Sequence, residues 1–446
     1  MRSLRRLLHG RLVRLHRVHG HQLRGRLQRL LHLDHPGVRP LRAPHLIRCD
    51  MRDREAVGMD GNTQGGPAIV RGPLAGVADL FPAHTNRVLI LSDEHVGSTL
   101  GHAATIADVL SGQGHAVETT TLRSGDLGTV CSALAAHDAL RSWRADLCVA
   151  LGGGSVIDAA KLARAAFRAP WVLDRMVWTR SAGRVTATVQ PTATPSLVAV
   201  PTRPGSAAEV SPRVALAPRP GASRRLMDSA ALVPDAVLVD PAPSAALPSQ
   251  AWSESLAEIL FRVVGPFLTT RHSTREQDQE AISLMTELVR IGEQVLRDGS
   301  PPPGRRADVF ALSSRTVLGS HSRGWYPGLP AWWCVQNSVC AHTGITKGHL
   351  TALALPELFD RIEGGDTSWG CPQRWRQLKE AGLAARLRDY CARFRENAPP
   401  QEDWDDADLT LWARDVLRLW AGHHPDVAGM GAQGIEALLR GIRATA

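Results

Sequence analysis

Lysine is almost absent from this sequence: of its 52 lysine and arginine residues only Lys161, Lys347 and Lys379 are lysines. The bias indicates a high-GC coding background, in which a retained lysine is more informative than usual. Cysteine is also sparse, since the seven cysteines are scattered along 446 residues and form no CxxC pair. This pattern indicates neither a disulfide framework nor a thiolate zinc site, and it fits a reducing cytoplasm.

Long apolar runs are missing as well. No stretch of 18 or more apolar residues occurs, which argues against a membrane-spanning helix and a membrane partner. The net charge of +9 resides at one end, because residues 1–50 hold 12 arginines and 2 aspartates, whereas the rest of the chain sums to −1. The near-neutral body is not that of a nucleic-acid-binding protein.

The basic end, residues 1–62, leaves three interpretations open. It could be an arm that binds nucleic acid, a targeting peptide, or a disordered or non-native extension. We expect the last, because Met51 and Met59 offer later starts and a globular pattern begins only near residue 66.

Beyond that end, strand-like and helix-like segments alternate. The runs at 87–93 and 147–152 are apolar, as in buried parallel strands, and helical patterns separate them. This alternation predicts an α/β domain with a parallel sheet over residues 63–242. Long helical patterns follow, and they predict an all-α domain over residues 243–446.

The second predicted strand runs into the glycine-rich turn "GGGS" at residues 152–155. Glycines let a backbone approach a phosphate closely, and the next helix offers unpaired N–H groups. A tight turn without a ligand explains the glycines equally well, and the spacing differs from the usual GxGxxG fingerprint.

A longer string is more specific. "GGGSVIDAAK" at 152–161 resembles the signature of the iron-containing (group III) alcohol dehydrogenase family, within the dehydroquinate synthase-like superfamily. "AVPTRPGSAAEVSP", "LVPDAVLVDPAPSAALP" and "KGHLTALALPEL" resemble further family segments in the same order. The resemblance covers residues 66–446 and is looser after about residue 250.

This resemblance implies a Rossmann-like domain that binds NAD, with NADP as the alternative, joined to a helical domain across an active-site cleft. It also makes a homodimer plausible. Asp93 falls where the family places an acid near the ribose, which favours NAD. Arg203 replaces a family threonine, and Ala208 replaces a serine. The resemblance assigns cofactor contacts to Asp93, Gly152, Gly153, Gly154, Ser155, Asp158, Lys161, Thr202 and Ser206.

The metal site is where the family pattern breaks. Family members hold Fe²⁺ or Zn²⁺ with one aspartate and three histidines. The aligned positions here hold, in chain order, Glu254, Glu258, Trp333 and Lys347. Protonated lysine and tryptophan cannot ligate a metal, so the resemblance predicts a divergent member without one. The alternative is a rebuilt site of Glu254, Glu258, His342 and His349.

We therefore expect an NAD(P)-dependent oxidoreductase that acts on a hydroxyl or carbonyl group in specialised, natural-product metabolism. Lys347 would polarise the substrate oxygen in place of a metal, and Glu258 or Glu254 would transfer a proton. The substrate would be a small molecule or a peptide.

Three alternative functions stay open. One is a peptide-modifying dehydrogenase that oxidises a C-terminal threonine and thereby triggers decarboxylation. Another is a dehydroquinate synthase-like lyase, which the string "LAE" at 256–258 favours. The third is a non-catalytic partner protein.

Overall fold

The structure, a computed structural model, describes residues 66–80, 85–179, 182–190, 195–325, 329–396 and 404–445. The basic extension expected over residues 1–62 lies outside the described residues.

A parallel sheet forms the core of the first half. Six strands lie side by side, and all five pairings between neighbours are parallel. In their order across the sheet they are β1 Ala68–Arg71, β9 Ala236–Val239, β6 Ser196–Pro201, β4 Leu147–Gly152, β2 Arg87–Asp93 and β3 Ala116–Leu122. Every residue of β4 is buried, as expected for a central strand covered on both faces.

Helices cover both faces of this sheet. Side chains alternate along a strand, so Leu89 and Leu91 of β2 pack into one hydrophobic cluster, while Val88 and Ile90 pack into another. The helices of this half are α1 His102–Gly112, α2 Val130–Trp143, α3 Gly154–Arg168 and α4 Trp171–Trp178. The predicted α/β architecture is confirmed.

A second, small sheet was not predicted. Strands β5 Arg184–Thr186, β7 Arg213–Leu216 and β8 Arg225–Asp228 form it in the order β5-β8-β7. β7 and β8 are antiparallel, so a short connection joins them and carries residues 217–224. These strands have three or four residues each, too few to show a period.

Helices make up the second half, as predicted. They are α5 Ser249–Thr269, α6 Arg275–Asp298, α7 Arg306–Leu318, α8 Ala331–Thr343, α9 Lys347–Glu363, α10 Pro372–Glu380, α11 Leu383–Glu396, α12 Asp406–Trp420 and α13 Pro425–Thr445. Shorter helical segments also occur, at Leu74–Leu80, His95–Thr99, Ser124–Asp126, Ala230–Leu232, Pro243–Ala246 and Pro303–Arg305.

Large side chains fill the core of this helical half. Trp252, Phe267, Trp375 and Trp420 are buried in one continuous cluster. Among the described residues, no helix is long and apolar enough to cross a membrane.

Candidate active site

The glycine turn lies at the carboxyl edge of the parallel sheet. Gly152 ends β4, and α3 begins at Gly154. A Cβ on Gly154 would stand 2.8 Å from the Cβ of Ser206, so the loop after β6 packs directly on the turn. A Cβ on Gly153 would meet nothing within 4 Å. Gly154 is therefore needed for packing, whereas Gly153 borders open space in which a ligand can lie.

Three further predicted cofactor residues lie at the same edge. The Thr202 backbone N–H donates to the Gly152 carbonyl at 3.1 Å, which ties the loop to the turn. Ser155 is half-buried in the first turn of α3, where a helix leaves N–H groups without intrahelical partners. Asp93 ends β2, and its carboxylate accepts from the Val96 N–H at 2.8 Å.

Lys161 and Asp158 were predicted to contact the cofactor, but the structure shows that both bind protein groups instead. The Lys161 side chain is fully buried, and its ammonium donates to the carbonyls of Ala208, Ser211 and Arg213 at 2.9, 2.8 and 2.5 Å. An ammonium has three donors, so none is left for a cofactor. Asp158 lies 3.5 Å from Lys161 and accepts from a backbone N–H of β7. This signature pair holds the loop and β7 against α3.

The carboxylate aligned with the family's metal-binding aspartate is already paired. Glu254 is 5% exposed, and Arg203 donates to it at 3.0 Å and to the Ser255 hydroxyl at 2.9 Å. Gln250 donates to the other carboxylate oxygen at 2.9 Å, and the His349 ring lies 3.7 Å away. Burial alone would raise the pKa of Glu254, but the nearby His349 ring and the hydrogen bond from Arg203 hold it at about 2.

A resident metal does not fit these residues. The Arg203 guanidinium already binds Glu254. Trp333 and Lys347, which align with two of the family's histidine ligands, offer no metal ligand at neutral pH. In the described residues no three His, Cys, Asp or Glu side chains gather in a way that could hold a metal ion.

The alternative rebuilt metal site is not assembled. Of its four residues, only His349 and Glu254 form a close pair. His342 instead lies 3.5 Å from Asp415 and stacks on Trp412. The structure therefore contradicts a four-residue cluster of Glu254, Glu258, His342 and His349.

Lys347 begins α9 and is half-buried. Its ammonium lies 5.2 Å from the centre of the Trp333 ring. In the described part of the chain, no carboxylate lies within 4.0 Å of it. Burial and then the charge of Arg224 lower the pKa of Lys347 to about 8, against the opposing charge of Glu258. Of the two predicted proton-transfer residues, Glu258 and Glu254, it is the charge of Glu258 that acts on Lys347.

Two arginines near these residues were not predicted as site residues. The Arg262 guanidinium on α5 donates to the Gly205 carbonyl, and burial lowers its pKa against the charges of Glu258 and Glu209. The charges of both carboxylates therefore stabilise its protonated form. Arg224, in the connection between β7 and β8, has its guanidinium next to Gly128 and Ser155: a Cβ on Gly128 would be 3.0 Å from it. No local motif marks either residue.

A glycine turn at the carboxyl edge of a parallel sheet is the place where α/β proteins bind nucleotides. Residues 67–241 match the family model for iron-containing alcohol dehydrogenase. The predicted family is confirmed for this domain. No curated protein matches the sequence.

Solved structures share the fold over most of the chain. NADH-dependent butanol dehydrogenase A from Thermotoga maritima is 14% identical, with a TM-score of 0.71 over 86% of this chain and 98% of that one. An iron-containing alcohol dehydrogenase from Thermococcus thioreducens is 18% identical, with a TM-score of 0.69 over 85% and 99%. Sulfoacetaldehyde reductase from Bifidobacterium kashiwanohense, solved with NAD⁺, is 16% identical, with a TM-score of 0.66 over 87% and 100%.

Proposed function

We propose that this protein is an NAD(P)-dependent oxidoreductase that interconverts a hydroxyl and a carbonyl group without a resident metal. The alcohol dehydrogenase domain, the open space beside Gly153 and the NAD⁺ complex of a structural neighbour support the cofactor. The bound dinucleotide supplies the hydride acceptor or donor.

One observation carries the metal-free part of the proposal: of the four positions aligned with the family's metal ligands, one is paired with a protein cation and another holds a cation itself. Arg203 pairs with Glu254, and Lys347 occupies the position aligned with the last histidine. Glu254 is thereby held as a paired, structural carboxylate, because its oxygens already accept from Arg203 and Gln250. This leaves Lys347 as the cation that we assign to the substrate.

In this mechanism Lys347 donates a hydrogen bond to the oxygen of the reacting carbonyl and stabilises its developing negative charge. An organic donor of this kind contributes about 10²–10³ in turnover. Glu258 is half-buried and its charge acts on Lys347. It is the carboxylate placed to exchange the proton of the hydroxyl group, whereas Glu254 is fixed by its arginine.

The experiment measures NADH and NADPH oxidation by the full chain with a panel of aldehydes and ketones, after dialysis against a strong chelator. We expect turnover to persist in the wild type and to fall about 100-fold in Lys347→Met, with cofactor affinity kept. Lys379→Met is the matched control, because Lys379 pairs with Glu363 at an exposed site.

Turnover of Lys347→Met equal to that of the wild type would refute the role of this residue. If the untreated wild type turned over none of the aldehydes and ketones in the panel, the proposed oxidoreductase activity would be refuted. The natural-product context, a peptide substrate, a homodimer and a cytoplasmic location stay predictions.

A further inference from the structure

A groove runs between the edge of the large sheet and two helices of the second half, and it contains none of the predicted site residues. Its volume is about 370 Å³. Strands β1 and β9 contribute to one side, and α6 and α7, with the residue that follows α7, contribute to the other. A mostly apolar hollow of this size is suited to a small ligand. Its apolar walls are formed by Ile69, Val239, Ala311 and Leu318.

The groove has a polar end beside Gly319, the residue that follows α7. A Cβ built on Gly319 would stand 2.7 Å from the Arg315 carbonyl oxygen, 2.8 Å from Nδ1 of His321 and 3.3 Å from Oε1 of Glu280. Each of these atoms can accept a hydrogen bond. Because Gly319 has no side chain, three acceptors surround one small space in the wall of the groove.

His321 shows most clearly that this space lacks a donor. The residue is fully buried, and within the part of the chain that the structure describes neither ring nitrogen has a hydrogen-bond partner. Its ring meets Trp325 edge-on, with the two centroids 5.9 Å apart. Burial lowers the pKa of His321, so the ring is neutral and keeps one acceptor nitrogen. Buried polar groups are normally paired, and a donor beside Gly319 would pair this one.

Hydrogen bonds hold the polar end in place. The Ser320 hydroxyl donates to Oε2 of Glu280 at 2.6 Å. Gln277 donates to the carbonyls of Ser320 and Arg323 at 3.3 and 2.8 Å, so the segment after α7 is tied to α6. Oε1 of Glu280, the oxygen nearer to Gly319, receives a long contact of 3.4 Å from the Arg315 guanidinium. This oxygen therefore has room to accept from a ligand.

Two arginines that line the groove argue for an anionic ligand instead. Both side chains are 54% exposed, and each already lies near a carboxylate: Arg71 is 3.6 Å from Asp308, and Arg315 is 3.4 Å from Glu280. Exposed pairs of this length are weak, so Arg315 can yield Glu280 to a ligand. The unmet need at the polar end is for a donor, which favours a cation.

We propose that this groove binds a primary alkylamine in its protonated form. An ammonium carries three donors, which matches the three acceptors beside Gly319. It donates to the Arg315 carbonyl, to His321 and to Glu280. The alkyl chain lies along the apolar walls and removes their surface from water. A buried water is the simpler occupant of the polar space, but it leaves the apolar walls uncovered.

The test is a ligand-observed NMR titration of the full chain with n-butylamine at about pH 8, where a primary alkylamine is protonated. 1-Butanol and butyrate have the same chain length with a neutral and an anionic head group. We expect butylamine to bind, and both other compounds to bind at least about tenfold more weakly, because they lack a charged donor.

Two variants locate the site. Gly319→Ala places a methyl group in the space between the three acceptors and should abolish butylamine binding. Gly72→Ala is its matched control, because a Cβ there would meet nothing within 4 Å. Glu280→Gln keeps the shape of the groove and should weaken butylamine about tenfold or more, while butanol binding stays unchanged. Circular dichroism and thermal unfolding show that each variant has folded.

Equal binding of butylamine and butanol would overturn the proposal, since the polar end would then contribute nothing. Preferential binding of butyrate would overturn it in favour of an anion held by the arginines. Binding of none of the three compounds would leave a buried water as the occupant and overturn it too. Wild-type affinity for butylamine in Glu280→Gln and in folded Gly319→Ala would place the amine elsewhere and reject this site.

Discussion

Removal of the Arg203 side chain is the sharpest test of how the site is held together. Arg203→Met leaves Glu254 buried, with Gln250 and His349 as its remaining partners. Losing one member of a fully buried pair costs about 3–5 kcal/mol. The Arg203 side chain is 35% exposed, so we expect a smaller decrease, about 2 kcal/mol, in the free energy of unfolding.

Urea denaturation at pH 7 measures this in a double-mutant cycle of Arg203→Met, Glu254→Gln and the two together. A direct pair predicts a coupling energy of about 1–2 kcal/mol. Arg290→Met removes an ion pair of similar length, 2.7 Å, whose side chains are both exposed. That control should change stability by less than about 0.5 kcal/mol.

The pH dependence gives a second readout of the same contact. The folded-state pKa of Glu254, about 2, lies below its ordinary value of 4.5. Its stabilisation is therefore complete above pH 4.5 and is lost as the pH falls towards 2. Without Arg203 the folded-state pKa of Glu254 should lie closer to 4.5, so Arg203→Met should lose less stability than the wild type as the pH falls from 4.5 towards 2. A coupling energy of zero with an unchanged acid profile would refute the pairing.

Three further predictions follow from the site. The rate constant kcat/KM should fall as the pH rises through about 8, because Lys347 must be protonated. Arg224→Met should move that fall to higher pH, and a pH-independent rate would contradict the role of Lys347. Lys161→Met should lower the free energy of unfolding by about 3 kcal/mol or more, because three buried carbonyls lose their donor; a loss under about 1 kcal/mol in urea denaturation would contradict its structural role. Gly154→Ala should destabilise the fold through contact with Ser206, whereas Gly153→Ala should keep stability but weaken ADP binding. Equal effects of the two glycine substitutions on both measurements would contradict a cofactor-binding site in the open space beside Gly153.

Local patterns were sufficient to predict the large sheet and the helical half. The strand at 147–152 is apolar throughout because it is buried on both faces, and that burial is visible in the sequence. The small sheet of β5, β7 and β8 was missed because strands of three or four residues show no period. The family resemblance located the glycine turn correctly at the carboxyl edge of β4.

The roles of individual side chains depended on contacts far apart in the chain. Lys161 matches the family signature, but the orientation of its side chain depends on three backbone carbonyls. These carbonyls lie 47–52 residues further along the chain. Arg203 was noted only as a replaced threonine, because its partner Glu254 lies 51 residues away on another element. Arg224 carries no motif, and only the packing of the two halves brings it towards Lys347.

The central claim is that protein cations take the place of the metal, and the metal content of active protein tests it most directly. Purified full-length protein is analysed by elemental mass spectrometry, and its NAD(P)H-dependent turnover is measured on the same sample before and after chelation. We predict far less than one iron or zinc per chain and unchanged turnover. One metal per chain, with activity lost on chelation and restored by Fe²⁺ or Zn²⁺, would contradict the account.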